Sequence, residues 1–134
     1  LLTARAYAEG GRALASYCAV LLDKVHHHPD EAVRRDSDEM LSLLTPIVKA
    51  FLTDSGVEVA NIGVQVLGGH GFIRANGQEQ YVRDVRITQL YEGTNGIQAL
   101  DLIGRKLPMK GGAAAQRDDA ARADLDEQDD KKIM

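Results

Sequence analysis

A single glutamate, Glu92, stands between Tyr91 and Gly93 in a largely apolar link, just ahead of the helix-start signal Thr94-Asn95-Gly96. A carboxylate set apart in this way has the chemistry of a general base, provided that it is aligned with the proton it takes. Gly93 has no side chain to obstruct a substrate passing the backbone. Thr94-Asn95-Gly96 is a helix cap whose free N–H groups suit a phosphate. Upstream, Gln65-x-x-Gly68-Gly69 ends in a glycine pair that lets backbone come close to a bound group. Taken one at a time, these features have ordinary readings: a solvated loop carboxylate, an N-cap, and a helix C-cap with an incidental glutamine.

Two further clusters carry less chemistry. Arg83, Asp84 and Arg86 read as structural, with Asp84 pairing an arginine and holding the link that presents Glu92. His26-His27-His28 suggests a metal, but consecutive helical residues point about 100° apart and cannot chelate one ion. There is no HExxH and no second cysteine, so no metal site is expected.

The elements that position these residues read as helices throughout. Ala6, Gly10, Ala13, Leu14, Tyr17, Leu21 and Val25 recur at helical spacing and predict an amphipathic helix from about Leu2 to His26. Pro29 and Asp30 end it. The segment HHHPDEAVRRDSDE then reads as a polar connection. A second apolar stripe, Leu41, Leu44, Val48, Phe51, Val59, Ile62 and Val66, runs from about Asp38 to Gly68; Thr45 could cap a new helix with Pro46 at its first position, and the reading favoured is one long helix kinked at Pro46. Gly68-Gly69 stops it. Ala75-Asn76-Gly77 reads as a turn, Gln78 to Asp84 as a short helix, and Val85 to Leu90 as an extended or irregular link. Thr94 caps a last helix with Ile97, Leu100, Ile103 and Leu107 on one face. Beyond Pro108 the chain is charged and poor in large apolar residues, and reads as a tail or linker.

Length and composition bound the rest. At 134 residues the chain holds one domain at most, and at 44% hydrophobic it can build a core. The fold class expected is all-α, an up-and-down helical bundle. No stretch reads as the roughly 20 apolar residues of a membrane span. The Ala-rich start lacks the pattern of a signal peptide. The lone Cys18 fits a reducing compartment. A net charge of −4, an aromatic content of 4% and the lack of tryptophan argue against a nucleic-acid partner.

The run QVLGGHGFIRANGQEQYVRDVRITQLYEGTNGIQALDLIGR, from Gln65 to Arg105, closely resembles the C-terminal helical domain of the flavin-dependent acyl-CoA dehydrogenases. The resemblance is dense to Leu107 and continues more weakly back to Leu2. It implies that Glu92 is the catalytic base of an α,β-dehydrogenation, with Tyr91 and Gly93 beside the substrate. It implies FAD as cofactor. Thr94, Asn95 and Gly96 would touch the dinucleotide, and Gln65, Gly68 and Gly69 would approach the adenine side of an FAD bound mainly to a neighbouring subunit. Acyl-CoA is the implied substrate, electron-transfer flavoprotein the electron acceptor, a homo-oligomer the assembly and the cytoplasm the location. Residues 1–107 would be an incomplete bundle and 108–134 a charged tail or linker. The form YEGTNGIQALDLIGRK most resembles the longer bacterial members. Arg105 sits one residue later than the arginine common in shorter relatives, and no substrate role is carried to it. The rival reading is a helical oligomerisation or binding module that kept the motif without the chemistry. A basic patch would favour it, and the sequence has none.

Overall fold

The computed structural model describes residues 1–109. Among them the architecture is all-α and up-and-down: α1 (Leu2–His27), α2 (Glu31–Leu67), α3 (Gly69–Phe72), α4 (Gln78–Arg86) and α5 (Asn95–Asp101). The central rod is α2. It packs against α1, α3, α4 and α5, and α1 runs antiparallel to it on one flank. At the α1–α2 crossing, a Cβ on the buried Gly11 would lie 2.8 Å from Leu52 Cδ2, so any larger residue would make the Leu52 side chain shift. Tyr7 and Phe51 meet edge-to-face across the same seam, with ring centroids 6.1 Å apart. On another flank, α4 and then α5 run back along α2. Val85 of α4 lies beside Gly56, and Gln78 lies beside Gly63.

The connection between α1 and α2 is shorter than its polarity suggests. The charged stretch expected to link them is already helical from Glu31, which leaves His28, Pro29 and Asp30 to make the turn. Asp30 is the N-cap, its side chain accepting from Ala32 N at 2.8 Å. Arg34 Nη1 donates to His28 O at 2.7 Å and to Pro29 O at 3.2 Å, which ties the turn to the first helical coil. Polarity here marks an exposed face of a helix, not a loop. Pro46 is fully buried inside α2, and the helix runs through it without a break.

Between α4 and α5 the backbone also departs from expectation. The segment read as extended is helical as far as Arg86 and continues as a 3-10 turn over Ile87–Gln89. Thr88 Oγ1 donates to Val85 O at 2.6 Å and Leu90 N to Ile87 O at 2.9 Å, which keeps the chain wound. After α5 the helix widens into a π turn, Leu102–Lys106, closed by Leu107 N to Leu102 O at 2.8 Å.

The buried apolar side chains are few: Leu21, Leu43, Ala60 and Pro46. Much apolar surface stays open. A groove of about 360 Å³ runs between α1 and α2 past Tyr7, Ala15, Leu52 and Val59. A second, of about 690 Å³, is walled by Leu1, Ala4, Ile62, Val66, Tyr81 and Val85. The stripe Ile97, Leu100, Ile103, Leu107 faces outward, with Leu100 69% and Ile103 66% exposed. One further expectation needs correction. By length and composition α2 is apolar enough to cross a membrane, with a mean hydropathy of 1.2 over 18 residues. The physical reason is its place in the fold: a helix with neighbours on several flanks carries apolar residues over most of its surface.

Candidate functional site

Glu92 sits in the turn that joins the end of α4 to α5. Its φ is +55°, and among the described residues it is the only non-glycine residue at positive φ. Gly93 follows at φ +80°. An L-residue in the left-handed region costs about 1–2 kcal/mol, so the surroundings must hold it there. Gln98 Nε2 donates to Glu92 O at 3.3 Å and to Gly93 O at 3.4 Å. The same nitrogen lies 2.8 Å from where a Cβ on Gly93 would be, so a side chain there would push the Gln98 amide aside, while the φ itself favours glycine. Thr94 caps α5 as expected, its Oγ1 accepting from Ile97 N at 3.3 Å. Glu92 and Tyr91 are exposed, and Gly96 has open space around it but for Thr94 Oγ1 at 3.8 Å.

Asn95 faces α2. Its Oδ1 accepts from Lys49 Nζ at 2.8 Å, and its Nδ2 donates to Thr53 Oγ1 at 3.0 Å and to Asp54 Oδ1 at 2.6 Å. The Asn95 side chain is therefore engaged, and any contact of Asn95 with a cofactor would fall to its backbone. Eleven residues on, Lys106 Nζ donates to Ser42 Oγ at 2.7 Å. Thus α5 and its π turn dock on α2 by their polar side. The arginine cluster is structural, but not by the pairing expected. Asp84 accepts from Gln80 Nε2 at 2.6 Å rather than from an arginine. It is Arg86 that supports the link: its Nη1 donates to Gln89 Oε1 at 2.8 Å, and Gln89 Nε2 donates to Asp54 Oδ1 at 2.5 Å. Arg105 pairs with Asp101 at 2.5 Å, and that hydrogen bond holds the Asp101 carboxyl below the usual carboxylate range.

The second group of candidates lies at the far end of α2. Gln65 is exposed in the last turn, and its carbonyl accepts from Gly68 N at 3.2 Å. Gly68 has φ +57° and ψ −140°, a conformation left almost entirely to glycine. Nothing lies within 4 Å of where a Cβ on Gly68 or Gly69 would be, so bare backbone is open there to a flat ligand. The two groups are not brought together. Asp54 and Gln65 are three helical turns apart, about 16 Å along the axis, on nearly the same face of α2. Lys49, Thr53, Asp54, Gln89 and Gln98 escaped the sequence reading. The available signal was Lys49-x-x-x-Thr53-Asp54, a polar interruption in the apolar stripe of α2.

A family model described as the acyl-CoA dehydrogenase C-terminal domain matches residues 1–107. Among curated proteins, the chain is 50% identical over 117 residues to a 3-methylmercaptopropionyl-CoA dehydrogenase of Ruegeria pomeroyi, covering 87% of the chain and 20% of that protein. It is 38% identical over 118 residues to a broad-specificity linear acyl-CoA dehydrogenase of Mycobacterium tuberculosis, covering 85% of the chain and 19% of that protein. It is 36% identical over 125 residues to a butyryl-CoA dehydrogenase of Syntrophomonas wolfei, covering 93% and 20%. The chain spans about one fifth of the length of these relatives. With the family model accounting for nearly every residue described above, the chain belongs to the acyl-CoA dehydrogenase family.

Proposed function

We propose that the chain is the C-terminal helical part of a flavin-dependent acyl-CoA dehydrogenase that converts an acyl-CoA thioester to a trans-2-enoyl-CoA, with Glu92 as the base. The observation that carries this reading is the loop at Glu92, where a side-chain-bearing residue is held in the left-handed region and presented outward. Strain of this kind gathers at functional sites. The α-proton of a thioester is weakly acidic, so the carboxylate must meet it aligned and shielded from water. Glu92 is exposed in this chain, so the shielding falls to the substrate and to other parts of the protein. Tyr91 and Gly93 flank the path of the thioester.

The residues present fit a dinucleotide. Gly68 and Gly69 offer unobstructed backbone beside the exposed Gln65, and the backbone at Thr94, Asn95 and Gly96 is the other point of contact. FAD, when bound, supplies the acceptor for the β-hydride. An electron-transfer flavoprotein would be the electron acceptor. The named relatives differ in acyl group and share the acyl-CoA thioester, which is the substrate class proposed. The lone Cys18 agrees with a cytoplasmic, reducing location.

Glu92→Gln in the full-length flavoprotein tests the reading. The amide keeps size and hydrogen bonding and removes the base. Bleaching of bound flavin by acyl-CoA is expected to slow on the order of 10²–10⁴-fold, with flavin content unchanged. Near-normal bleaching would place the base elsewhere.

A further inference from the structure

The loop carrying Glu92 runs from Leu90 to Thr94. Backbone bonds tie its ends, Leu90 N to Ile87 O at 2.9 Å and Gln98 N to Thr94 O at 3.0 Å, but the side-chain bonds to its middle are long. The Gln98 amide reaches Glu92 O and Gly93 O at 3.3 and 3.4 Å, beyond the usual range for such bonds. The short side-chain bonds lie just outside the loop's two ends, and both fall on one atom. Gln89, immediately before the loop, donates from Nε2 to Asp54 Oδ1 at 2.5 Å. Asn95, immediately after it, donates from Nδ2 to the same oxygen at 2.6 Å.

Each of these amides is also held from its oxygen side by a cation. Arg86 Nη1 donates to Gln89 Oε1 at 2.8 Å, and Lys49 Nζ donates to Asn95 Oδ1 at 2.8 Å. A primary amide has one accepting and one donating end. With a cation on the oxygen, the NH₂ end must point the other way, and in both residues that way is Asp54. The row Arg86–Gln89–Asp54–Asn95–Lys49 therefore closes on a single carboxylate. Bonds to an ionised acceptor are stronger and shorter than neutral ones.

We propose that Asp54 is a positioning residue for the reaction: it clamps both ends of the Glu92 loop to α2 and thereby sets where the base stands. This rests on the reading of Glu92 as the base. Asp54 is exposed, so the clamp acts through geometry and not through a buried charge. It sits in the middle of a 37-residue helix, the most extended support in the fold. The loop is thus referenced to α2 as well as to the short helices on either side of it.

The test compares Asp54→Ala with Asp54→Asn in the full-length flavoprotein. Asparagine keeps a carbonyl oxygen able to accept from both amides, and alanine keeps nothing. Asp54→Ala is expected to lower kcat for acyl-CoA by on the order of 10–100-fold, the cost of a misplaced reacting group, with little change in KM. Asp54→Asn is expected to recover most of that loss. Hydrogen exchange read by mass spectrometry is expected to speed up over residues 90–94 in the alanine variant, stay close to wild type in the asparagine variant, and be unaltered over α1 in both. Should Asp54→Ala fail to fold, Gln89→Ala releases one end of the clamp without touching α2, and the same changes over residues 90–94 are expected. Wild-type exchange over the loop in all variants overturns the proposal, as does an equal loss of kcat in both Asp54 variants. A normal rate in Glu92→Gln would remove the base assignment and leave the exchange result for Asp54 standing, so the two failures are distinct.

Discussion

Two successive left-handed residues, Glu92 and Gly93, turn the chain between α4 and α5, and the glycines at 93 and 96 tolerate substitution differently. Gly93→Ala puts a Cβ against Gln98 Nε2 at 2.8 Å and forces an L-residue to φ +80°. It is expected to destabilise the protein by about 1–2 kcal/mol and to slow flavin reduction. Gly96→Ala, in helical backbone with only Thr94 Oγ1 nearby, is expected to be neutral or to stabilise by up to about 1 kcal/mol. Thermal denaturation of the pair checks both, and equal losses would mean that the loop is not under the constraint described. The Thr94 cap was legible in the sequence because it depends on immediate neighbours. Asp54 was not. Its partners, Gln89 and Asn95, are 35 and 41 positions away, and nothing in the local pattern of α2 says which polar residue faces them.

Element ends divided along the same line. The close of α2 at Leu67 was readable from Gly68-Gly69, whereas its start was misread because the first coils of the helix are charged. The start signal was present in Asp30, which follows Pro29 and caps Ala32 N. Asp30→Ala is expected to lower stability by about 1 kcal/mol, measured by chemical denaturation. An unchanged midpoint would mean that Arg34 alone fixes the turn. In α5 the apolar period was read correctly, and the sequence did not say which way it faces. The stripe Ile97, Leu100, Ile103 and Leu107 turns outward, and polar bonds from Asn95 and Lys106 face α2. Periodicity reports that a face is apolar. It does not report whether the partner for that face lies in the same segment of chain.

At the scale of the whole molecule, the outward stripe and the two open grooves leave large apolar areas in contact with water. Each large apolar side chain removed from water gains roughly 1.5–3 kcal/mol, and soluble monomers seldom leave such patches uncovered. The 134-residue chain by itself is therefore expected to form a homodimer or larger assembly at micromolar concentration, by light scattering after size exclusion. A well-folded monomer at high concentration would mean that the chain covers these faces itself. The all-α class was readable from composition and spacing, whereas the short α3 after Gly68 was not. The open faces were readable only in part, because their extent depends on what packs against them.

The length of α2 has one more consequence. Its stations at Asp54 and Gln65 ride on a single uninterrupted rod, and Pro46 lies ahead of both, so any bend there leaves their spacing alone. The rod is a ruler with a phase. Adding or removing one residue between the stations would slide one past the other by only about 1.5 Å but rotate it by about 100°. Gln65 and the bare glycines beyond it would then face away from the side that holds the Glu92 loop. Substitutions along this stretch change a contact at a time; a change of length changes the direction in which half the candidate site looks.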